Sequence, residues 1–173
     1  ILAVFADAEI IAVEAVVARV DAVDGVALDV LDGLASLADK SLVRQVDLPG
    51  GEPRVAMLET IREFAADRLG QRPDLGARAR QAHATYFADE ARRLRGDLTG
   101  AEREPALAAM TADVSNLRIA WRYWVSAGDL EQLDKLADSL LILDDARGWY
   151  LDTVELTTDM LAVLGAGTSR PDR

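Results

Sequence analysis

The sequence predicts a mainly α-helical protein: a helical unit carrying one short β-hairpin, followed by antiparallel helical hairpins. Three observations carry this expectation. Apolar residues recur at three- and four-residue spacing along most of the 173 positions. One stretch, Leu42 to Met57, instead places two short apolar runs around a Gly/Pro loop. Isolated glycines then punctuate the second half between leucine- and alanine-rich segments.

Over residues 7–20, Ile10, Val13, Val16, Val17 and Val20 fall at helical spacing, although β-branched side chains weaken a helix. Asp21-Ala22-Val23-Asp24-Gly25 is expected to break it. A second helix follows, with Leu28, Leu31, Leu34, Ala35 and Ala38 as its buried stripe. The run from Leu42 to Leu48, the loop Pro49-Gly50-Gly51-Glu52-Pro53 and the run from Arg54 to Met57 form the hairpin. The next helix places Leu58, Ile61, Phe64, Ala65 and Leu69 on one face, and Gly70 and Pro73 end it. Helix, helix, hairpin, helix is the winged-helix arrangement, with the first helix of that fold truncated and residues 1–5 as its last turn.

From Pro73 onward only helices are expected. Pro73 to about Arg95 turns Leu75, Ala79, Ala82, Tyr86 and Phe87 inward, and Gly96 to Gly100 is a break. Ala101 to Ala127 is helical with an interruption near Pro105. Gly128 suits a left-handed C-terminal residue, and Asp129 with Gln132 suits the next N-terminus. Leu130, Leu133, Leu136, Ala137, Leu140 and Leu141 then face the core, Gly148 breaks the chain, and Trp149 to Leu164 forms a last helix. Helix starts near Val114 and Trp149 lie about one tetratricopeptide period apart. The domains expected are a winged-helix-like domain over 1–71, a linker helix over 72–100, a tetratricopeptide-like segment over 101–165 and a flexible tail over 166–173. The non-Met start and the Gly/Ser/Pro-containing tail suggest a piece cut from a longer protein.

Net charge is −11 with a pI near 4.5. Residues 1–71 hold 13 acidic and 6 basic side chains. Such a surface repels phosphate backbones, so direct nucleic-acid binding is not expected. No apolar run is long enough to span a bilayer, and the absence of cysteine fits a reducing cytoplasm.

No Gly-x-x-x-x-Gly-Lys-Ser/Thr is present, so the chain has no phosphate cradle of its own and no cofactor is expected within it. Catalytic residues are not expected either: Ser41 lacks the strand-turn-helix elbow of a nucleophile and reads as a cap or turn. The lone His83, without cysteine, cannot make an ordinary zinc site and reads as a helix residue packed beside Tyr86 and Phe87. Glu131, Asp134 and Asp138, with Asp144 and Asp145 beyond, could suggest a cation site, but helical spacing puts the first three on the solvent face opposite the leucines, and a solvated face is the favoured reading. Trp121, Trp124, Trp149 and Tyr150 either line a partner groove or pack the core between helix pairs. Arg78, Arg80, Arg92, Arg93 and Arg95 read as partners for acidic neighbours.

Leu34-Ala35-Ser36-Leu37-Ala38-Asp39-Lys40-Ser41-Leu42-Val43, Gly51-Glu52-Pro53-Arg54 and the stretch from Met57 to Ala65 together resemble bacterial signal-transduction (STAND/NB-ARC-type) ATPase regulators, including LuxR-type and SARP-type transcriptional regulators. Arg80 to Phe87, Asn116-Leu117-Arg118-Ile119-Ala120-Trp121 and Ala127-Gly128-Asp129 resemble the linker helix and first sensor repeats of that family. The resemblance implies a coupling role between a nucleotide-binding module and sensor repeats of the same parent chain. ATP or ADP would be held by the parent, with a protein or small-molecule effector as signal. Related ATPases place a Met-His-Asp triplet where this chain has Met57-Leu58-Glu59. Leu58 cannot donate the phosphate hydrogen bond of that histidine, while Glu59 stays open as an inter-domain sensor or a helix-terminus acid. A stand-alone helical protein-interaction module is the alternative function.

Overall fold

The computed structural model describes residues 1–24, 29–47 and 52–168, with side chains placed for all of these except 21–24 and 166–168. It is mainly helical with a small antiparallel sheet, as the periodicity predicts. The chain divides into two compact units, Ile1–Tyr86 and Phe87–Arg173.

In the first unit a 3-10 turn, Leu2–Val4, leads into strand β1, Asp7–Glu9, and helix α1, Ile10–Asp24. Helix α2 is Val30–Asp39, strands β2 and β3 are Val43–Val46 and Arg54–Met57, and helix α3 is Glu59–Gly70. Helix α4, Pro73–Leu94, starts with Pro73 in its first turn, where a missing N–H costs nothing.

The sheet has three strands rather than the two of a hairpin, in the order β1-β3-β2, all antiparallel. No residue pattern marks β1, because three residues are too few for a period to emerge. Pairing of Ala8 with Val55 and of Val43 with Met57 buries Ala8 and Val43 on the core side. The tip of the hairpin, residues 48–51, lies outside the described residues.

Val13, Val16, Val17 and Val20 of α1 are buried, as their spacing predicts, with Ala12 buried beside them and Ile10 only half-buried, and the helix runs on through Asp24 instead of breaking at Asp21. In α2 the buried stripe is rotated from the expected one. Leu34 is buried and Val30 and Leu37 are half-buried, whereas Leu31, Ala35 and Ala38 are exposed. Leu28 and Gly25 lie outside the described residues. The 30-34-37 set also has helical spacing, and the Asp29 cap, which accepts from the Asp32 N–H at 3.0 Å, sets where the helix begins. At the other end Ser41 takes φ 57°, its N–H donating to Ala38 at 2.8 Å and the Leu42 N–H to Leu37 at 2.9 Å. That is the bonding of a Schellman C-terminus, with serine in a position usually given to glycine.

In the second unit the end of α4 is followed by a 3-10 turn, Asp97–Thr99, then α5, Arg103–Ala112, and α6, Val114–Ala127. The interruption falls at Asp113, not near Pro105. Pro105 sits in the first turn of α5, where proline is tolerated. Helices α7, Leu130–Arg147, and α8, Tyr150–Thr168, complete the unit. Gly128 and Gly148 take φ 67° and 72°, and each closes a Schellman turn. The Asp129 carboxylate accepts from the Gln132 N–H at 3.1 Å, as its position predicts. Leu133, Leu136, Ala137 and Leu140 of α7 are buried, but Leu130 and Leu141 are exposed and Leu143 and Asp144 take the inward positions. The 133-136-140-143 phase simply extends one turn further than the expected stripe. Helix α8 continues through Thr168, past the expected start of the tail, and 169–173 lie outside the described residues.

Candidate functional site

The segment that carries the resemblance is the β3–α3 junction, and one buried arginine positions it. Arg54 opens the central strand with 2% of its surface exposed. Its Nε donates to Asp7 Oδ1 at 2.7 Å, and its Nη1 lies 3.6 Å from Glu9 Oε1. Asp7 and Glu9 are two residues apart on β1, so both point to the same face of the sheet, where Glu9 is paired with Arg54. The arginine therefore clamps the short strand onto the central one. Asp7 supplies a hydrogen bond and Glu9 a longer charge contact, so the buried guanidinium is neutralised although its Nη1 makes no hydrogen bond.

Beyond Met57 the chain turns into α3 at Leu58, whose backbone is extended (φ −62°, ψ 143°). Its carbonyl accepts from the N–H groups of Ile61 and Arg62, both at 2.9 Å, and its side chain is 52% exposed. Glu59 lies in the first turn and is exposed. Its carboxylate receives Arg62 at 2.6 Å, an i,i+3 pair. Leu58 and Glu59 thus sit together on an exposed junction: one has no polar group to offer, and the other is partly neutralised within its own helix.

The stripe expected on α3 is only partly buried. Leu69 is buried and Ile61 and Ala65 are half-buried. Phe64 is 58% exposed, with the Arg68 guanidinium 5.0 Å from its ring centroid. The physical reason is local: residue 64 falls at the margin of the 61-65-69 arc, where little packs over the helix.

His83 is 1% exposed, in keeping with a structural role, and its ring meets that of Phe5 edge-on at 4.9 Å. Tyr86 lies under the Arg19 guanidinium, 5.6 Å from its ring centroid. Among the described residues no group of three or more His, Cys, Asp or Glu is arranged to hold a metal. Among them, too, no helix is long and apolar enough to cross a membrane.

The four aromatic positions of the second half do not share one environment. Trp121 and Trp124 are buried, at 2% and 5%, and Trp149 is half-buried. Tyr150 stands 66% exposed. Trp121 Nε1 donates to Asp159 Oδ2 at 3.1 Å, tying α6 to α8, and the Tyr123 and Trp124 rings meet edge-on at 4.8 Å. The two central indoles therefore pack the core, while Tyr150 stands in water.

Beside them lies a charged cluster whose members the sequence did not bring together. Arg118 of α6 reaches Asp144 Oδ1 at 3.2 Å and Asp152 Oδ2 at 2.5 Å, and its guanidinium lies 5.2 Å from the Trp149 ring centroid. The Asp144 side chain is fully buried. Burial pushes its carboxyl above the ordinary aspartate range, against the pull of Arg118. Its signal in the sequence was present: Asp144 follows Leu143 on the buried arc of α7. Arg54 had a weaker signal, a charge inside an otherwise apolar strand.

Of the remaining charges, Glu131 and Asp134 are exposed, while Asp138 receives Arg95 and Asp89 receives Lys135 at 3.0 Å. Arg93 pairs with Glu90 at 2.7 Å. Part of the basic cluster thus engages acidic neighbours, as its composition suggests.

Over 111 residues, 64% of its length, the chain is 32% identical to proteins of Mycobacterium bovis and Mycobacterium tuberculosis whose names class them provisionally as HTH-type transcriptional regulators. The matched region spans 12% of the length of those regulators. No family model matches the chain. No solved structure matches it at a significant level.

Proposed function

We propose that this chain is a non-catalytic coupling segment of a larger ATPase-type transcriptional or signalling regulator, relaying nucleotide state to a helical sensor. The observation that carries the reading is the likeness to transcriptional regulators of which this region is a small part. The arrangement supports it: helices, a three-stranded wing clamped by Arg54, then helical hairpins. The motifs from Leu34 to Ala65 support the STAND-type assignment, and the excess of acidic side chains speaks for a packing element rather than a DNA reader. ATP or ADP would be held by other residues of the parent chain, since Leu58 offers no donor.

Hydrogen exchange on the full-length parent, loaded with ADP or with a non-hydrolysable ATP analogue, tests this. Amide protection across 54–70 is expected to differ between the two states. Identical protection in both states, or a parent gene without a P-loop, would sink the coupling role.

A further inference from the structure

Helices α6, α7 and α8 of the second unit meet over one guanidinium that serves two carboxylates. Arg118 of α6 lies 3.2 Å from Asp144 Oδ1 of α7 and 2.5 Å from Asp152 Oδ2 of α8. The Trp149 ring lies against the guanidinium, 5.2 Å from ring centroid to its carbon, and limits its swing. The three charged groups are not equally wet. Arg118 and Asp152 keep 27% and 34% of their side-chain surface in water, while Asp144 keeps none. The Thr153 hydroxyl also acts on the Asp144 carboxyl, yet its buried Oδ2 makes no hydrogen bond of good geometry.

With all three groups ionised, the cluster holds two negative charges against one positive. The excess falls on Asp144, the member that water does not reach. A buried charge without full compensation is costly, and a carboxyl in that position takes up a proton instead. Arg118 opposes this, but it is shared with Asp152, to which it lies closer. Burial outweighs the pull of Arg118, and the Asp152 charge adds to burial. The other groups that face α7 are engaged elsewhere along it. From α5, Thr111 and the Leu107 carbonyl receive Arg147. From α4, Asp89 receives Lys135 and Arg95 meets Asp138. On α7 itself, Asp145 is exposed.

We infer that this junction is a one-proton switch, in which the state of Asp144 decides how Arg118 is divided between α7 and α8. With the proton on Asp144 the cluster is neutral, and Arg118 serves Asp152 alone and draws α8 onto α6. When the proton passes to solvent, Arg118 is divided between two carboxylates that repel each other, and α8 is held less firmly. The planar fork of arginine suits this role, because it can serve one carboxylate bidentately or two singly without leaving the aromatic face. The switch stands whether or not the parent chain binds a nucleotide.

The test uses the full 173-residue chain, with carboxyl carbon-13 NMR to follow each aspartate and hydrogen exchange to follow the amides of α8. Asp144 is expected to titrate above the ordinary aspartate range. Between the unfolded value of 3.8 and that midpoint, opening of α8, corrected for the intrinsic pH dependence of exchange, should rise by up to about tenfold per pH unit and then level off. Asp144→Asn keeps an acceptor oxygen for Arg118 and cannot ionise, so its α8 opening should be flat with pH, at the level the parent shows at the acid end. Asp152→Asn removes both the like charge and the competitor for Arg118, so the Asp144 midpoint should move down. This second variant leaves the buried position untouched, so the inference can be refuted even if Asp144→Asn fails to fold. An Asp144 midpoint at or below the ordinary range overturns the inference, as does α8 opening that is flat with pH in the parent. So does a parent-like pH dependence in Asp144→Asn, or an Asp144 midpoint that Asp152→Asn leaves in place.

Discussion

Replacing Arg54 by alanine should damage the first unit more than any exposed charge change, and its magnitude can be worked from the structure. The side chain is 2% exposed, while its partners Asp7 and Glu9 keep 41% and 35% of theirs. Removing one member of a fully buried ion pair typically costs about 3–5 kcal/mol, because the other charge is stranded without a partner. Here water already reaches both carboxylates, so part of that penalty is relieved, and about 2–3 kcal/mol is expected after discounting for their exposure. The aliphatic stem of the arginine adds a packing loss that Arg54→Met restores. With a urea m-value of about 2 kcal/mol/M, the alanine variant should move the midpoint of the first unit down by about 1–1.5 M. The chain has two compact units, so the transition is best followed by hydrogen exchange of the β3 amides rather than by a global probe. Arg54→Met should recover less than half of the loss, since it leaves Asp7 and Glu9 as like charges on one face of β1. A loss below about 1 kcal/mol for Arg54→Ala would refute the clamp, as would full recovery by methionine, which would make the stem rather than the charge responsible.

Two further outcomes follow from the same geometry. Phe64→Ala should cost less than about 1 kcal/mol in denaturant unfolding, because over half of the ring is already in water; a cost of about 3–5 kcal/mol, the range of a buried phenylalanine, would mean that α3 is covered. For Asp144 the folded carboxyl is raised above the unfolded value of 3.8, so between the two values the folded chain holds more protons than the unfolded one. Its contribution therefore favours folding at low pH and is lost as pH rises through the folded value. Asp144→Asn should gain stability relative to the parent across that window, read as the difference between two urea titrations at pH 4 to 7. A difference that stays flat with pH removes the burial argument.

Much of the fold was legible in the residues. Five valines and isoleucines at helical spacing marked α1, and Gly128-Asp129 marked a helix end and the next cap to the residue. The Gly/Pro loop marked the wing. These features are local: periodicity, a left-handed glycine and a capping carboxylate each act within a few residues of themselves, so they can be read along the chain.

What the sequence by itself could not decide was which side of each helix would find a neighbour. Leu31 and Leu34 are equally apolar, and Leu141 and Leu143 likewise, yet only one of each pair is buried. Phe64 looked like core and is instead exposed, and Trp121 and Trp124 could have lined a groove and are instead packed. Burial is settled by contacts between segments far apart in the chain, and a repeat of 3.6 residues leaves the phase of a helix uncertain by one position on either side. The same holds for charge. Arg54 meets Asp7 across 47 positions, and Arg118 meets Asp144 and Asp152 across 26 and 34. The acidic, mainly helical, winged character of this protein was therefore set by its sequence. The clamp on the wing, the buried Asp144 and the exposed Phe64 arise only where the tertiary fold brings distant side chains together or leaves one of them uncovered.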